Sequence, residues 1–373
     1  MNVLVCIPCL LTGGTEIQTL SLVEALVAAG HRPIVACYFE YATAMVERYR
    51  ASGAEVELMS ADGSRPFGIP RTITHLWKGL RRIIKAHRPD IAHVQYMAPG
   101  ALPILVLRAL GIKKIIATAH TSADIYPSLR QIHWLHRHVL TAFQCITLRA
   151  EKSFFGSGNL FSESTALKKH ANHFTIYNNL PSYIRLAQAH RTGAPRTIGV
   201  VSRLEKIKGM DLVIPAFAQI HAKRPEMRLL IVGDGSLREM MEQQSKELKL
   251  PTDSIEFAGR QPQDSLQDYY DRIDILLMPS RSEGFGLTAI EGMARGCVPV
   301  VADTGGLPEV VEDGISGTLH KPEDIENIAF SIEKSIDNYG HLSSGSLQRA
   351  VTFSKSGYFS QIKTLYQKLQ CGF

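Results

Sequence analysis

Short apolar runs rich in β-branched residues alternate along this chain with longer stretches of helical period. In the first half the runs fall at 3–8, 33–39, 55–59, 90–95, 114–120 and 143–147. In the second half they fall at 197–201, 228–232, 254–258, 274–278 and 298–302. The stretches between them, such as 16–29 and 71–86, read as helices. Strand–helix alternation of this kind predicts parallel sheets covered on both faces, hence an α/β fold with two doubly wound sheets. The stretch 179–196, with Pro181, Gly193 and Pro195, has no clear period and reads as a linker. Near the end, Ile362, Leu365, Tyr366 and Leu369 carry the spacing of an amphipathic helix. The expected organisation is an N-terminal domain over 1–184, a second domain over 185–354, and a helix within 355–373 that packs back on the first domain.

At 373 residues, 45% apolar and 20% charged, the chain can bury two cores. The opening run, which lacks a basic leader and meets Gly13-Gly14 at once, reads as a first strand and not a signal peptide. No uninterrupted apolar run approaches the roughly 18 residues of a membrane span. These features lead to the expectation of a cytoplasmic protein. Of six cysteines, Cys6 and Cys9 have C-x-x-C spacing, but no second pair completes a zinc site, so buried free thiols are expected. The formal charge of +6 is uneven. Residues 1–184 hold 19 Lys+Arg against 11 Asp+Glu, or +8, whereas the remainder holds 22 against 24, or −2. A basic first half suits an anionic membrane or acceptor, and equally a solvated surface. Nothing points to nucleic acid. The stretch 71–85 reads as a basic amphipathic helix: Ile73, Leu76, Trp77, Leu80, Ile83 and Ile84 are apolar, and Arg71, Lys78, Arg81, Arg82 and Lys85 basic. Its apolar side is expected on a sheet, leaving the basic side for electrostatic, peripheral contact with an anionic bilayer.

Candidate chemistry lies where strands end, the place at which open parallel sheets bind ligands. The strongest stretch runs from Ser280 to Gly296. Gly284, Phe285, Gly286 and Leu287 form a turn into a helix, whose free N–H groups and positive dipole end make an anion site suited to a diphosphate. Glu283 before the helix and Glu291 inside it are carboxylates able to accept from ribose and sugar hydroxyls. A negative helix start on a surface loop would produce the same pattern. After the strand ending near Val201, Arg203 can grip a phosphate bidentately and Lys208 adds a point charge. Gly13 and Gly14, between the first strand and helix, suit close approach to phosphate or sugar, with Thr15 as a candidate helix cap. They lack the G-x-G-x-x-G spacing of a dinucleotide site. His120 ends the fifth run, as a structural or a cleft residue.

With these residues in view, the sequence resembles the family 4 retaining glycosyltransferases of GT-B fold. Glu283 and Glu291 match the family's E-x7-E pair in spacing. Ser202-Arg203-Leu204, Lys208-Gly209, Val232 to Gly235, Phe257 to Gly259 and Gly305 to Val310 follow in the family's order. Gly13-Gly14 and Gly30-His31 also match, while Ser202 and Gly292 replace the family's usual glycine and alanine. The resemblance implies two Rossmann-like doubly wound domains facing across a cleft. It also implies roles: Glu283 at the donor sugar, Glu291 at the ribose, Arg203 and Lys208 neutralising the departing diphosphate, Gly284 to Leu287 adding N–H donors, Gly13 and Gly14 closing over the diphosphate, and His120 beside sugar and acceptor. No metal and no cofactor are implied, since protein cations replace a magnesium clamp. The partners implied are a nucleotide sugar, a UDP-sugar first and GDP-mannose second, and a glycan or lipid-linked acceptor in surface polysaccharide synthesis.

Three rivals stay open on the sequence. A glycoside hydrolase would use Glu283 and Glu291 as an acid–base pair, though eight residues of helix would separate them by about 12 Å. A nucleotide-sugar epimerase and a non-catalytic nucleotide-sugar-binding module would share the fold.

Overall fold

The computed structural model describes residues 1–126 and 128–371. Thirteen strands occur among the described residues. They are β1 (Asn2–Ile7), β2 (Arg32–Cys37), β3 (Glu55–Leu58), β4 (Ile91–Tyr96), β5 (Ile115–Ala119), β6 (Ala142–Cys145), β7 (Asn172–Thr175), β8 (Thr197–Val201), β9 (Arg228–Val232), β10 (Ile255–Gly259), β11 (Ile275–Met278), β12 (Val298–Ala302) and β13 (Thr318–His320). The helices of the first half are α1 (Gly14–Ala28), α2 (Thr43–Ala51), α3 (Ile69–His87), α4 (Ala101–Ala109), α5 (Leu129–His138) and α6 (Leu148–Phe155). Those of the second are α7 (Met210–Lys223), α8 (Arg238–Glu247), α9 (Leu266–Arg272), α10 (Leu287–Ala294), α11 (Leu307–Val310), α12 (Ile325–Asp337), α13 (Tyr339–Thr352) and α14 (Lys355–Cys371).

The chain divides into two compact units, one of residues 1–179 together with α14 and one of Leu180–Ser354. In the first, a seven-stranded parallel sheet has the order β3-β2-β1-β4-β5-β6-β7. In the second, a six-stranded parallel sheet has the order β10-β9-β8-β11-β12-β13. Central strands such as β11 and β12 are buried along their whole length, which is why they read as continuous apolar runs. The short strands β7 and β13 escaped the sequence reading. Asn172, His173, Thr318 and His320 make them too polar to stand out as apolar runs.

One side of the first sheet packs against α3, α4, α5 and α6, whose Leu76, Leu107, Leu135 and Phe154 share a core cluster with Leu4, Ile34, Val94 and Phe143. The other side receives α1 and α14. There His93 of β4 bonds the Tyr366 hydroxyl of α14 through Nδ1 at 2.8 Å and Thr118 Oγ1 through Nε2 at 2.6 Å. Lys355 adds an ion pair to Glu24 at 2.8 Å. The second core gathers Ile198, Ile231, Leu277 and Val300 from the sheet with Phe217 of α7 and Ile332 of α12.

The segment expected as a linker has no regular element, and it is bound to the second unit along its length. Arg185 N donates to Gln267 Oε1 at 2.9 Å, and Ala187 N to Ala294 O at 2.8 Å. The Arg191 guanidinium donates to Arg295 O at 3.1 Å and Tyr270 O at 2.7 Å. An arginine so engaged fixes an aperiodic segment through side-chain donors, a signal that hydrophobic period does not carry.

Candidate active site

Strand order decides where each sheet opens. In the second unit the chain runs outward from β8 to β10, then restarts at β11 on the other side. The loops after β8 and β11 therefore diverge at a topological switch point, where a crevice forms. Arg203 and Lys208 sit on the first of these loops, and Glu283 through Gly286 on the second.

Backbone bonds stitch the loops together. Ser202 N donates to Val232 O, Leu204 N to Asp234 O, Arg281 N to Ile207 O and Gly306 N to Glu283 O, each at 2.9–3.0 Å. Two glycines permit the approach. Gly209 has φ +70° and a Cβ there would collide with Pro279 O; Gly305 has φ +54° and a Cβ would collide with Glu283 O. Arg281 braces the same corner through a bidentate pair with Asp211 and a further pair with Glu323. Its hydrogen bonds to these carboxylates raise its pKa further. Arg281 is thus spoken for by carboxylates.

Lys208 and Glu283 meet across the switch point, with Nζ 2.6 Å from Oε2 and both side chains mostly buried. Lys208, expected to add a point charge, is found paired with Glu283. Arg203 is exposed and has no ion-pair partner among the described residues. Glu205 next to it instead accepts from Ser236 N and Oγ.

Helix α10 starts at Leu287, with Gly286 as its cap at φ +106° and no side-chain capping bond. The first intrahelical bonds run from Ala289 N and Ile290 N to Gly286 O, so the amides of Leu287 and Thr288 have no intrahelical acceptor. Phe285 turns its ring inward, edge-on to Phe353 at 5.8 Å, so only its backbone can face a donor. Because α10 begins four residues after Glu283, the helical arithmetic for the separation of Glu283 and Glu291 does not apply.

Glu291 is 5% exposed and holds both carboxylate oxygens against hydroxyls: Tyr183 to Oε1 and Tyr270 to Oε2, each at 2.6 Å. Burial raises its pKa, and the two hydroxyls oppose that shift. Tyr183 and Tyr270 were not singled out in the sequence. One lies in an aperiodic segment and the other on a short helix, and neither stands near Glu291 in sequence.

In the first unit the corresponding switch point lies between β1 and β4. Gly13 caps α1 there, and Gly14 begins it, so Thr15 lies inside the helix and is not its cap. A Cβ on Gly13 would stand 2.6 Å from Glu16 Oε2. His120 follows β5 and is buried, with Nε2 2.6 Å from Gln95 Oε1. An amide oxygen there requires the proton on Nε2 and leaves Nδ1 as an acceptor. Burial pushes the His120 pKa down to about 4, so the ring is neutral near pH 7. The structure therefore groups Lys208, Glu283 and the Gly284–Leu287 turn with Arg203 at one switch point, sets Glu291 beneath in a tyrosine clamp, and places Gly13, Gly14 and His120 on the first unit.

Among the described residues no group of three His, Cys, Asp or Glu side chains could hold a metal. Cys6 and Cys9 are free thiols, both pushed up to about 12 by burial.

Comparison with known proteins places this geometry. The family "Glycosyl transferases group 1" matches residues 186–351, and "Glycosyltransferase Family 4" matches residues 12–162. A D-inositol 3-phosphate glycosyltransferase of Segniliparus rotundus is 26% identical over 69% of this chain and 61% of its own length. The chain thus spans less than two thirds of the first curated relatives it matches. A GDP-mannose-dependent alpha-(1-6)-phosphatidylinositol monomannoside mannosyltransferase of Mycolicibacterium smegmatis is 27% identical over 68% of this chain and 69% of its own. Among solved structures, a glycosyltransferase from Rickettsia africae covers 100% of this chain and 99% of its own at TM-score 0.81 and 18% identity. Anabaena HepE in complex with UDP and glucose covers 100% of both chains at TM-score 0.77 and 18% identity. At such identity these structures speak for the fold alone, which is GT-B.

Proposed function

Since the chain belongs to the family 4 glycosyltransferases of GT-B fold, we propose that it transfers a sugar, with retention at the anomeric carbon, from a nucleoside-diphosphate donor to a hydroxyl of a glycan or lipid-linked acceptor. The observation that carries the reading is the meeting of Lys208 and Glu283 beside the N-terminus of α10, at the switch point of the second sheet. A site for this reaction needs positive potential where the leaving diphosphate gathers charge. It also needs carboxylates where sugar hydroxyls lie. Both are met here by side chains held in place before any substrate arrives.

In the proposed mechanism Lys208 and Arg203 take the charge that builds on the diphosphate as the sugar–phosphate bond breaks. The amides from Gly284 to Leu287 donate to the same oxygens. Glu283, released from part of its contact with Lys208, accepts from a donor-sugar hydroxyl. Glu291 accepts from the ribose hydroxyls while Tyr183 and Tyr270 fix its orientation. The departing phosphate takes the acceptor hydroxyl's proton, so no side-chain base is required. Gly13, Gly14 and His120 keep the donor- and acceptor-facing roles the family resemblance implies, His120 acting as a neutral hydrogen-bonding group. No metal enters the scheme.

A hydrolase reading fits poorly, because both oxygens of Glu291 already accept from tyrosines and Glu283 is tied to a lysine. Two mannosyltransferase relatives are named for GDP-mannose, so the assay includes that donor beside UDP-sugars. Purified protein incubated with UDP-glucose, UDP-galactose, UDP-N-acetylglucosamine and GDP-mannose, each with and without polyprenyl-linked or polysaccharide acceptors, should release UDP or GDP only with acceptor. Donor binding without release in every pairing would favour a binding module, and an epimerised donor an epimerase.

A further inference from the structure

The layer of helices on one side of the first sheet is chemically lopsided. Helices α3, α4 and α5 together hold eight Lys or Arg and no Asp or Glu. The acid of the next helix, Glu151 in α6, is fully buried and bonded to His173 and Thr175. All four helices pack into the same core cluster, so their outer surfaces form one layer. On α3 one i, i+4 row reads Ile69, Ile73, Trp77, Arg81, Lys85, every member exposed. At about 100° per residue this row drifts about 40° per step. It starts nearly in line with the buried Leu76 and turns outward to the basic side. Phe67 extends the apolar half and is 90% exposed, Ile69 67% and, on α5, Trp134 51%. Arg71, Lys78, Arg81 and Lys85 have no ion-pair partner among the described residues.

From the sequence, α3 was expected to bury its apolar side and offer only charge. Leu76, Leu80 and Ile83 are buried as expected, but Ile73 and Trp77 are not. Large apolar side chains set beside unpaired cations, on helices that themselves carry no acid, match an anionic lipid surface: cations reach phosphates while the apolar row enters the acyl boundary. No helix among the described residues is long and apolar enough to cross a membrane. We propose that the α3–α5 layer is a membrane-docking face, on which Phe67, Ile69, Ile73 and Trp77 insert into the interface of an anionic bilayer and Arg71, Lys78, Arg81 and Lys85 bind its headgroups. The proposal goes beyond the glycosyl-transfer reading and does not depend on it.

The chain's two tryptophans, Trp77 and Trp134, both lie on this layer, which makes insertion directly observable. The full chain carrying Trp134→Phe has Trp77 as its one reporter. Mixed with vesicles of equal phosphatidylglycerol and phosphatidylcholine, it should shift its emission to the blue and be quenched by brominated acyl chains. Pure phosphatidylcholine vesicles should do neither. Lys78→Glu with Arg81→Glu should weaken the association by more than about 25-fold at low salt, since each cation near the surface is worth about fivefold. Ile69→Ser with Ile73→Ser should leave low-salt pelleting nearly intact and abolish the fraction retained at high salt. These positions are exposed, and unchanged melting temperatures will show that the variants fold. Three results would overturn the proposal: no pelleting with anionic vesicles, pelleting without quenching of Trp77, or preferential capture of duplex DNA over vesicles at equal salt.

Discussion

Lys208 Nζ lies 2.6 Å from Glu283 Oε2, joining the loop after β8 to the loop after β11 where the order of the second sheet reverses. Both side chains are mostly buried, at 21% and 16% exposed, so the pair holds a cation in the loops beside the start of α10. In the proposed scheme a diphosphate takes over Lys208 while Glu283 turns to a donor-sugar hydroxyl, so that neither buried charge is left unpaired.

The first prediction follows from that arrangement. Lys208→Ala and Arg203→Ala should each lower turnover by about 10²–10³, the usual effect of losing one preorganised donor to developing charge. Arg203 is exposed, so its removal should leave unfolding curves unchanged. Diphosphate release assayed with saturating acceptor checks both. Near-normal rates in both variants would remove the leaving-group role.

The second concerns the tyrosine clamp. Tyr270→Phe removes one of two hydroxyls donating to the buried Glu291. Leaving that acceptor short should cost about 1–3 kcal/mol of stability, measurable by denaturant unfolding. In the assay KM for the donor should rise more than kcat falls, because in the proposed scheme the clamp orients a ribose-binding group remote from the breaking bond. A kcat loss with unchanged KM would place Glu291 at the reacting sugar instead.

Metal removal provides the third. Excess EDTA should leave turnover within about twofold if lysine, arginine and helix amides take the role of a cation clamp as proposed. Loss of activity restored by magnesium or manganese would contradict that scheme.

The fourth concerns pH. Burial holds His93 down to about 3, with His120 nearby adding to it, and holds His120 and His136 down to about 4. Unfolded histidines titrate near 6.5. Between those values the unfolded chain binds more protons than the folded one, so stability falls as pH falls. The contribution is fully present above about pH 6.5 and is lost progressively toward pH 4. Calorimetric melts at pH 7.5, 6.0 and 5.0 should show a falling transition for the full chain. His93→Gln should flatten the slope, and identical slopes in the two proteins would show that His93 does not carry it.

The periodic features of the chain were set by local sequence. Eleven of the strands, the helices between them and the turn from Gly284 to Leu287 announce themselves because apolar period and glycine placement are properties of neighbouring residues. So are the spacing of Glu283 and Glu291 and the position of Lys208 at a strand end. What only the tertiary structure decided are the meetings between distant segments. Nothing near Tyr183 in sequence says that it will donate to Glu291, 108 positions on, nor that Arg191 will pin an aperiodic stretch to the carbonyls of Tyr270 and Arg295. The polarity of β7 and β13 hid them, since their pairing is satisfied by neighbours and not by their own period. The basic layer is likewise a collective property. From the sequence only the stretch 71–85 stood out as basic and amphipathic. Only packing on one side of one sheet sets Ile69, Trp77 and Trp134 in a single layer with the cations and removes Glu151 from its surface.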